Sequence, residues 1–60
     1  MKLHIQHHTD LPLYRQIAAQ LRALIQSGAL PPGDRLPTVR QLAAELELTR
    51  LTVHSAYAEL

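Results

Sequence analysis

Thr38 to Leu60, TVRQLAAELELTRLTVHSAYAEL, carries one apolar pattern twice. Val39, Leu42, Ala43 and Leu46 return fourteen residues later as Val53, Ala56, Tyr57 and Leu60. Three- and four-residue spacing makes each set one face of a helix. Only Glu47 and Leu48 lie between Leu46 and Thr49, a residue suited to cap a new helix. Two short helices so closely joined must turn sharply to bury both faces against a third element. A second solution stays open. Val39, Leu46, Val53 and Leu60 also stand seven residues apart, so 38–60 could run as one continuous helix paired with a second chain in a self-assembly module. Thr49 and Thr52 are poor in helix interiors and good at helix starts, which favours the bent form.

The third element precedes this region. Asp10 is a candidate cap, Pro12 falls in the first helical turn, where a missing amide costs nothing, and Gly28 stops the helix, predicting a span of 11–27. Tyr14, Ile17, Ala18, Leu21, Leu24 and Ile25 form its apolar stripe, with Arg15, Gln16, Arg22 and Gln26 toward water. SGALPPGDRLP, Ser27 to Pro37, is a loop with at most a two- or three-residue strand near Arg35, anchored by Leu30 and Leu36. It lacks the glycine spacing and the following Lys of a phosphate-cradling loop. Thr38 and Gln41 form a capping box that opens the next helix, which reaches Leu46. The expected fold class is all-α, three helices with a helix-turn-helix at the C-terminal end.

A chain of 60 residues makes at most one domain and buries only roughly 60% of the surface it exposes unfolded. With no cysteine there is no disulfide and no thiolate metal site, and a reducing, cytoplasmic setting fits. No apolar run approaches a membrane span or a signal peptide, so the expectation is a soluble chain with no membrane partner. Residues 1–9 read as a flexible arm or a short edge strand before a domain over 10–60. His4, His7 and His8 lack an accompanying carboxylate or thiol, so no metal site is expected. Six Lys and Arg against five Asp and Glu give a net charge of +1, too balanced to argue for nucleic acid by itself.

Distribution is more telling. If Val53, Ala56, Tyr57 and Leu60 face inward, Leu51, His54, Ser55 and Ala58 face outward, and Thr49, Arg50 and Thr52 occupy the helix tip. Free amides and the positive end of the helix dipole favour phosphate there. Docked tip-first in a major groove, Arg50 would meet guanine acceptors or phosphate, Thr49 and Thr52 phosphate, and Leu51 a thymine methyl. A protein-binding surface centred on Leu51 fits the same residues. No nucleophile, base and orienter set stands at helical spacing around Glu45, Glu47, Asp34 or the histidines, so no catalytic residue and no cofactor is expected.

GALPPGDRLPTVRQLAAELELTRLTVHSAYAEL, Gly28 to Leu60, resembles the N-terminal DNA-binding domain of the GntR family of bacterial transcription regulators. PLYRQI, Pro12 to Ile17, fits the start of that domain, so the similarity covers about 49 of the 60 residues. The resemblance rests on Leu36-Pro37-Thr38 with Arg40 and Leu42-Ala43, then Thr49-Arg50 with Thr52-Val53, then Ala56-Tyr57 with Leu60. It implies a winged helix-turn-helix that binds palindromic operator DNA as a homodimer, in the bacterial cytoplasm and associated with the nucleoid. Contacts would come from Arg40 on the second helix and from Thr49, Arg50 and Thr52 at the recognition-helix tip, with His54 a variable contact. The opening and the Ala56-Tyr57 pair look closer to branches with a small helical tail or an aminotransferase-like domain.

Three departures bear on that expectation. The family's two-stranded wing and its effector or aminotransferase-like domain lie beyond these residues, as expected of a fragment. No effector, pyridoxal phosphate or enzymatic activity is therefore carried over. His54 stands where relatives often hold Arg, which makes that contact weaker or pH-dependent. Glu47 stands where relatives commonly carry Gly, and a Cβ in a left-handed turn costs roughly 1–2 kcal/mol.

Overall fold

Pro12 fixes where the first helix begins. In the computed structural model, which describes residues 3–30 and 36–60, Pro12 is the N-cap of α1 (Leu13–Ser27), with its backbone at φ −55° and ψ 146°. Its carbonyl accepts from the amides of Arg15 at 3.1 Å and Gln16 at 3.2 Å. Asp10, expected to cap, does not. It lies two residues before the N-cap that Pro12 occupies, and the helix has no side-chain cap. Gly28 ends α1 in the left-handed conformation at φ 86°, as expected, and its amide donates to the Ile25 carbonyl.

Thr38 opens α2 (Val39–Leu46) through a complete capping box. The Gln41 amide donates to Thr38 Oγ1 at 3.1 Å, and the Thr38 amide donates to Gln41 Oε1 at 3.0 Å. The helix stops at Glu47, which takes the left-handed conformation at φ 58° and ψ 42°. The Leu48 amide reaches back to the Ala43 carbonyl at 3.0 Å and the Glu47 amide to Ala44 at 3.3 Å. This pair of bonds is a Schellman motif, with glutamate in the position that usually favours glycine. Thr49 then caps α3 (Arg50–Ala58), its Oγ1 accepting from the Thr52 amide at 3.2 Å. The unbroken helix over 38–60 does not form.

The three stripes meet in one core. Ile17, Ala18 and Leu21 from α1, Leu42 and Ala43 from α2, and Val53 and Ala56 from α3 are buried together. Tyr14, Leu30, Leu36, Val39, Leu46, Leu48 and Tyr57 pack half-buried around them. Helix α3 is central: it packs against both α1 and α2, whose backbones do not approach one another. Two details depart from the sequence pattern. Leu60, expected on the buried face of the last helix, is 46% exposed, because α3 ends at Ala58 and its last amides bond three residues back, Glu59 to Ala56 and Leu60 to Tyr57. Ile25, at the far end of the α1 stripe, is likewise exposed.

Gln16, expected to face water, is buried. Its amide is consumed by the N-terminal arm: Gln16 Oε1 accepts from the Gln6 amide and Gln16 Nε2 donates to the Gln6 carbonyl, both at 2.8 Å. One turn on, Gln20 grips His4 in the same two-point way, at 2.8 and 2.6 Å. These side-chain amides do for the arm what a neighbouring strand would do, satisfying its backbone while Leu3 and Ile5 pack against the core. Burying a glutamine is tolerable because its polar atoms are paired. No strand is present among the described residues; the one anticipated near Arg35 lies outside them.

Candidate nucleic-acid interface

The burial of Val53 and Ala56 settles which side of α3 faces outward. Residues offset from them by about 100° per position emerge on the opposite side. Leu51 is 75% exposed there, and Arg50 and His54, four residues apart and so on one face, are exposed as well. Of the six residues singled out from the sequence, Thr49, Arg50, Leu51, Thr52 and His54 thus cluster over the first turn and a half of α3. Arg40 stands apart on α2. It is exposed and lines a shallow depression with Thr38, Gln41 and Ala44.

The tip of α3 is built to stay open. Thr49 Oγ1 serves the backbone as cap, and its hydroxyl and that of Thr52 lie 2.8 Å apart in a hydrogen bond. Two hydroxyls sharing one proton bridge keep a further donor and spare lone pairs for an external partner. No acidic side chain occupies the first turn of α2 or of α3, so the positive ends of both helix dipoles are not cancelled locally. The nearest carboxylate in sequence is Glu47, exposed at the turn two residues before the cap. A compact tip that brings Leu51, Arg50 and His54 together at the amide end of a helix is suited to phosphate oxygens and base edges. Among the described residues no group of three or more His, Asp and Glu side chains could hold a metal ion, and no helix is long and apolar enough to cross a membrane.

One residue acts beyond what the periodicity assigned it. Tyr57 fills a place on the buried stripe, yet its hydroxyl also donates to the Pro37 carbonyl at 2.5 Å, tying α3 to the segment that leads into α2. Burial pushes its phenol above the ordinary value. No local pattern signals this bond, since the partners stand twenty residues apart.

Comparison with known proteins places this geometry. Residues 13–60 match the family of bacterial regulatory proteins called the gntR family. Over 49 residues, 82% of the chain, it is 51% identical to the HTH-type transcriptional regulator Rv1152 of Mycobacterium tuberculosis, of which it covers 40%. Over 58 residues, 97% of the chain, it is 40% identical to the HTH-type transcriptional repressor YtrA of Bacillus subtilis, of which it covers 45%. The chain therefore spans less than half the length of these relatives. Among solved structures, YtrA from Sulfolobus acidocaldarius, a GntR-family transcription factor, superposes with a TM-score of 0.93 at 45% identity, covering 97% of this chain and 62% of that one.

Proposed function

Because the chain belongs to the gntR family of bacterial regulatory proteins, we propose that residues 10–60 form a sequence-specific DNA-binding unit that places the tip of α3 in the major groove of a palindromic operator. Two copies act together, one on each half-site, so that the protein's two-fold symmetry matches that of the operator. Arg50 reads guanine, Leu51 packs on a thymine methyl, and Thr49 and Thr52 hold phosphate. His54 contacts the groove one turn further on, and Arg40 secures the adjacent backbone from α2. Any effector binds a part of the protein beyond these residues, and the work is done at the bacterial nucleoid. The matched family is one of regulators rather than enzymes, and no cofactor enters this reading.

One observation carries it: α3 presents Arg50 and a 75% exposed Leu51 at an uncapped-by-charge tip, backed by the fully buried Val53 and Ala56. Leu51 is the most exposed large apolar side chain among the described residues, and the dipole and arginine beside it suit an anionic partner. Binding selection on random duplex DNA, followed by affinity measurements across salt concentrations, tests the proposal. It predicts enrichment of a two-fold symmetric sequence and a logarithm of affinity that falls linearly with the logarithm of salt. A protein that enriches no sequence and only self-associates, indifferently to salt, would show the exposed surface to be an apolar assembly face instead.

A further inference from the structure

Helix α2 is held at two ends. At its C-terminus the left-handed turn of Glu47, with the amides of Glu47 and Leu48 bonded back to the carbonyls of Ala44 and Ala43, sets the direction in which the chain leaves for α3. At its N-terminus the Tyr57 hydroxyl grips the carbonyl of Pro37, the residue immediately before the cap Thr38. Between these ends Leu42 and Ala43 are buried and Val39 packs half-buried against the core, whereas Thr38, Arg40 and Gln41 in the first turn are exposed. Helix α1 gives the first turn no backbone neighbour, since α1 and α2 do not approach one another. Among the described residues, the Tyr57 bond is the hydrogen bond that connects the start of α2 to α3.

We propose that Tyr57 is a positioning residue for DNA binding, its hydroxyl setting where the first turn of α2, and with it Arg40, stands relative to the tip of α3. The inference rests on the DNA-binding reading above. Tyr57 and Arg50 belong to one rigid helix, so the tip keeps its own geometry whether or not the bond is made. Arg40 belongs to the other helix, and a contact constellation must be held to within about 0.5 Å to be productive. Losing the hydroxyl leaves the ring in place to fill the core, and leaves the first turn of α2 held by the non-directional packing of Leu36 and Val39, with no hydrogen bond to α3 to fix its position. The Arg40 contact is then lost selectively.

The test is a mutant cycle on the full chain with a duplex recovered by binding selection, reading the salt slope of affinity. Truncating a phosphate-contacting arginine lowers that slope by about one. Arg40→Ala and Tyr57→Phe are each expected to lower it by about that amount, and the double variant by no more than either alone. Arg50→Ala is expected to weaken binding by the same factor in the wild-type and Tyr57→Phe backgrounds. Circular dichroism sets an assay temperature at which the Phe variant is folded. An unchanged slope in Tyr57→Phe, or losses that add with Arg40→Ala, would overturn the inference. So would a Phe variant that folds at no temperature, because the hydroxyl would then be a general support of the fold. If Arg40→Ala and Arg50→Ala both leave affinity untouched, it is the DNA-binding reading that fails, and the role of Tyr57 fails with it.

Discussion

Two helix ends in this chain make the same left-handed turn with opposite residues. At Gly28, φ is 86° and an added Cβ would meet nothing within 4 Å. Glycine adopts that region freely, so the residue itself supplies the turn. At Glu47, φ is 58° on a side chain that resists it. The strain is roughly 1–2 kcal/mol, whereas Leu42 and Val53, on either side of the turn, are fully buried, each worth about 1.5–3 kcal/mol. Straightening the chain at Glu47 would pull those two side chains apart. Burial outweighs strain, and the surroundings impose the turn. A glycine, then, marks a turn that local chemistry dictates, while its absence marks one that packing must hold.

That contrast can be broken most forcefully from the core. Leu42→Ala should cost about 2–5 kcal/mol, a large part of what a domain this small has to spare, read as a collapse of the thermal melt. A loss of only a few tenths would mean that something other than packing holds the Glu47 turn. Gly28→Ala should cost about 1 kcal/mol, the left-handed strain less the entropy saved in the unfolded chain. Glu47→Gly should do the reverse, raising stability by about 0.5 kcal/mol once the flexibility of glycine in the unfolded state is subtracted. A lower melting temperature for Glu47→Gly, with unchanged oligomeric state, would contradict the assignment of strain to that residue.

The smallest effect concerns the other end of α2. Because the phenol of Tyr57 is pushed up by burial, the folded state favours its neutral form. Its contribution to stability is fully present below the ordinary phenol value and is lost as pH rises through the raised one. Denaturation followed from neutral to strongly alkaline pH should therefore show a decline that Tyr57→Phe removes. An identical alkaline decline in the Phe variant would assign it to another group.

How much of this was legible in the residues follows the same divide between local and imposed structure. Thr38 with Gln41, Thr49 and Gly28 announce their helix boundaries because each bonds a backbone group within three residues. The buried positions from Ile17 to Ala56 follow from helical spacing. Asp10 misled, since Pro12 overrides a nearby cap by fixing its own backbone. Gln16 misled for a deeper reason: a polar residue beside an apolar stripe reads as solvated unless one knows that the arm ten residues earlier returns to satisfy it. Its pairing with Gln20, one turn along the same face, is the trace such a clamp leaves in sequence. The Tyr57 bond to Pro37 left no such trace. Of the interface, the outward placement of Arg50, Leu51 and His54 could be read from periodicity once the turn at Glu47 was granted; the resemblance supplied Arg40.

The turn at Glu47 matters because it leaves the start of α3 bare, and the sharpest test of that consequence is the discrimination Arg50 confers. Affinities of wild type and Arg50→Ala are compared on a selected duplex and on a scrambled duplex at one salt concentration. The account predicts a loss of about 1–3 kcal/mol on the selected sequence and a smaller loss on the scrambled one, so that preference narrows. Equal losses on both would reduce Arg50 to a phosphate contact, and no loss on either would mean that the bare tip does not face DNA.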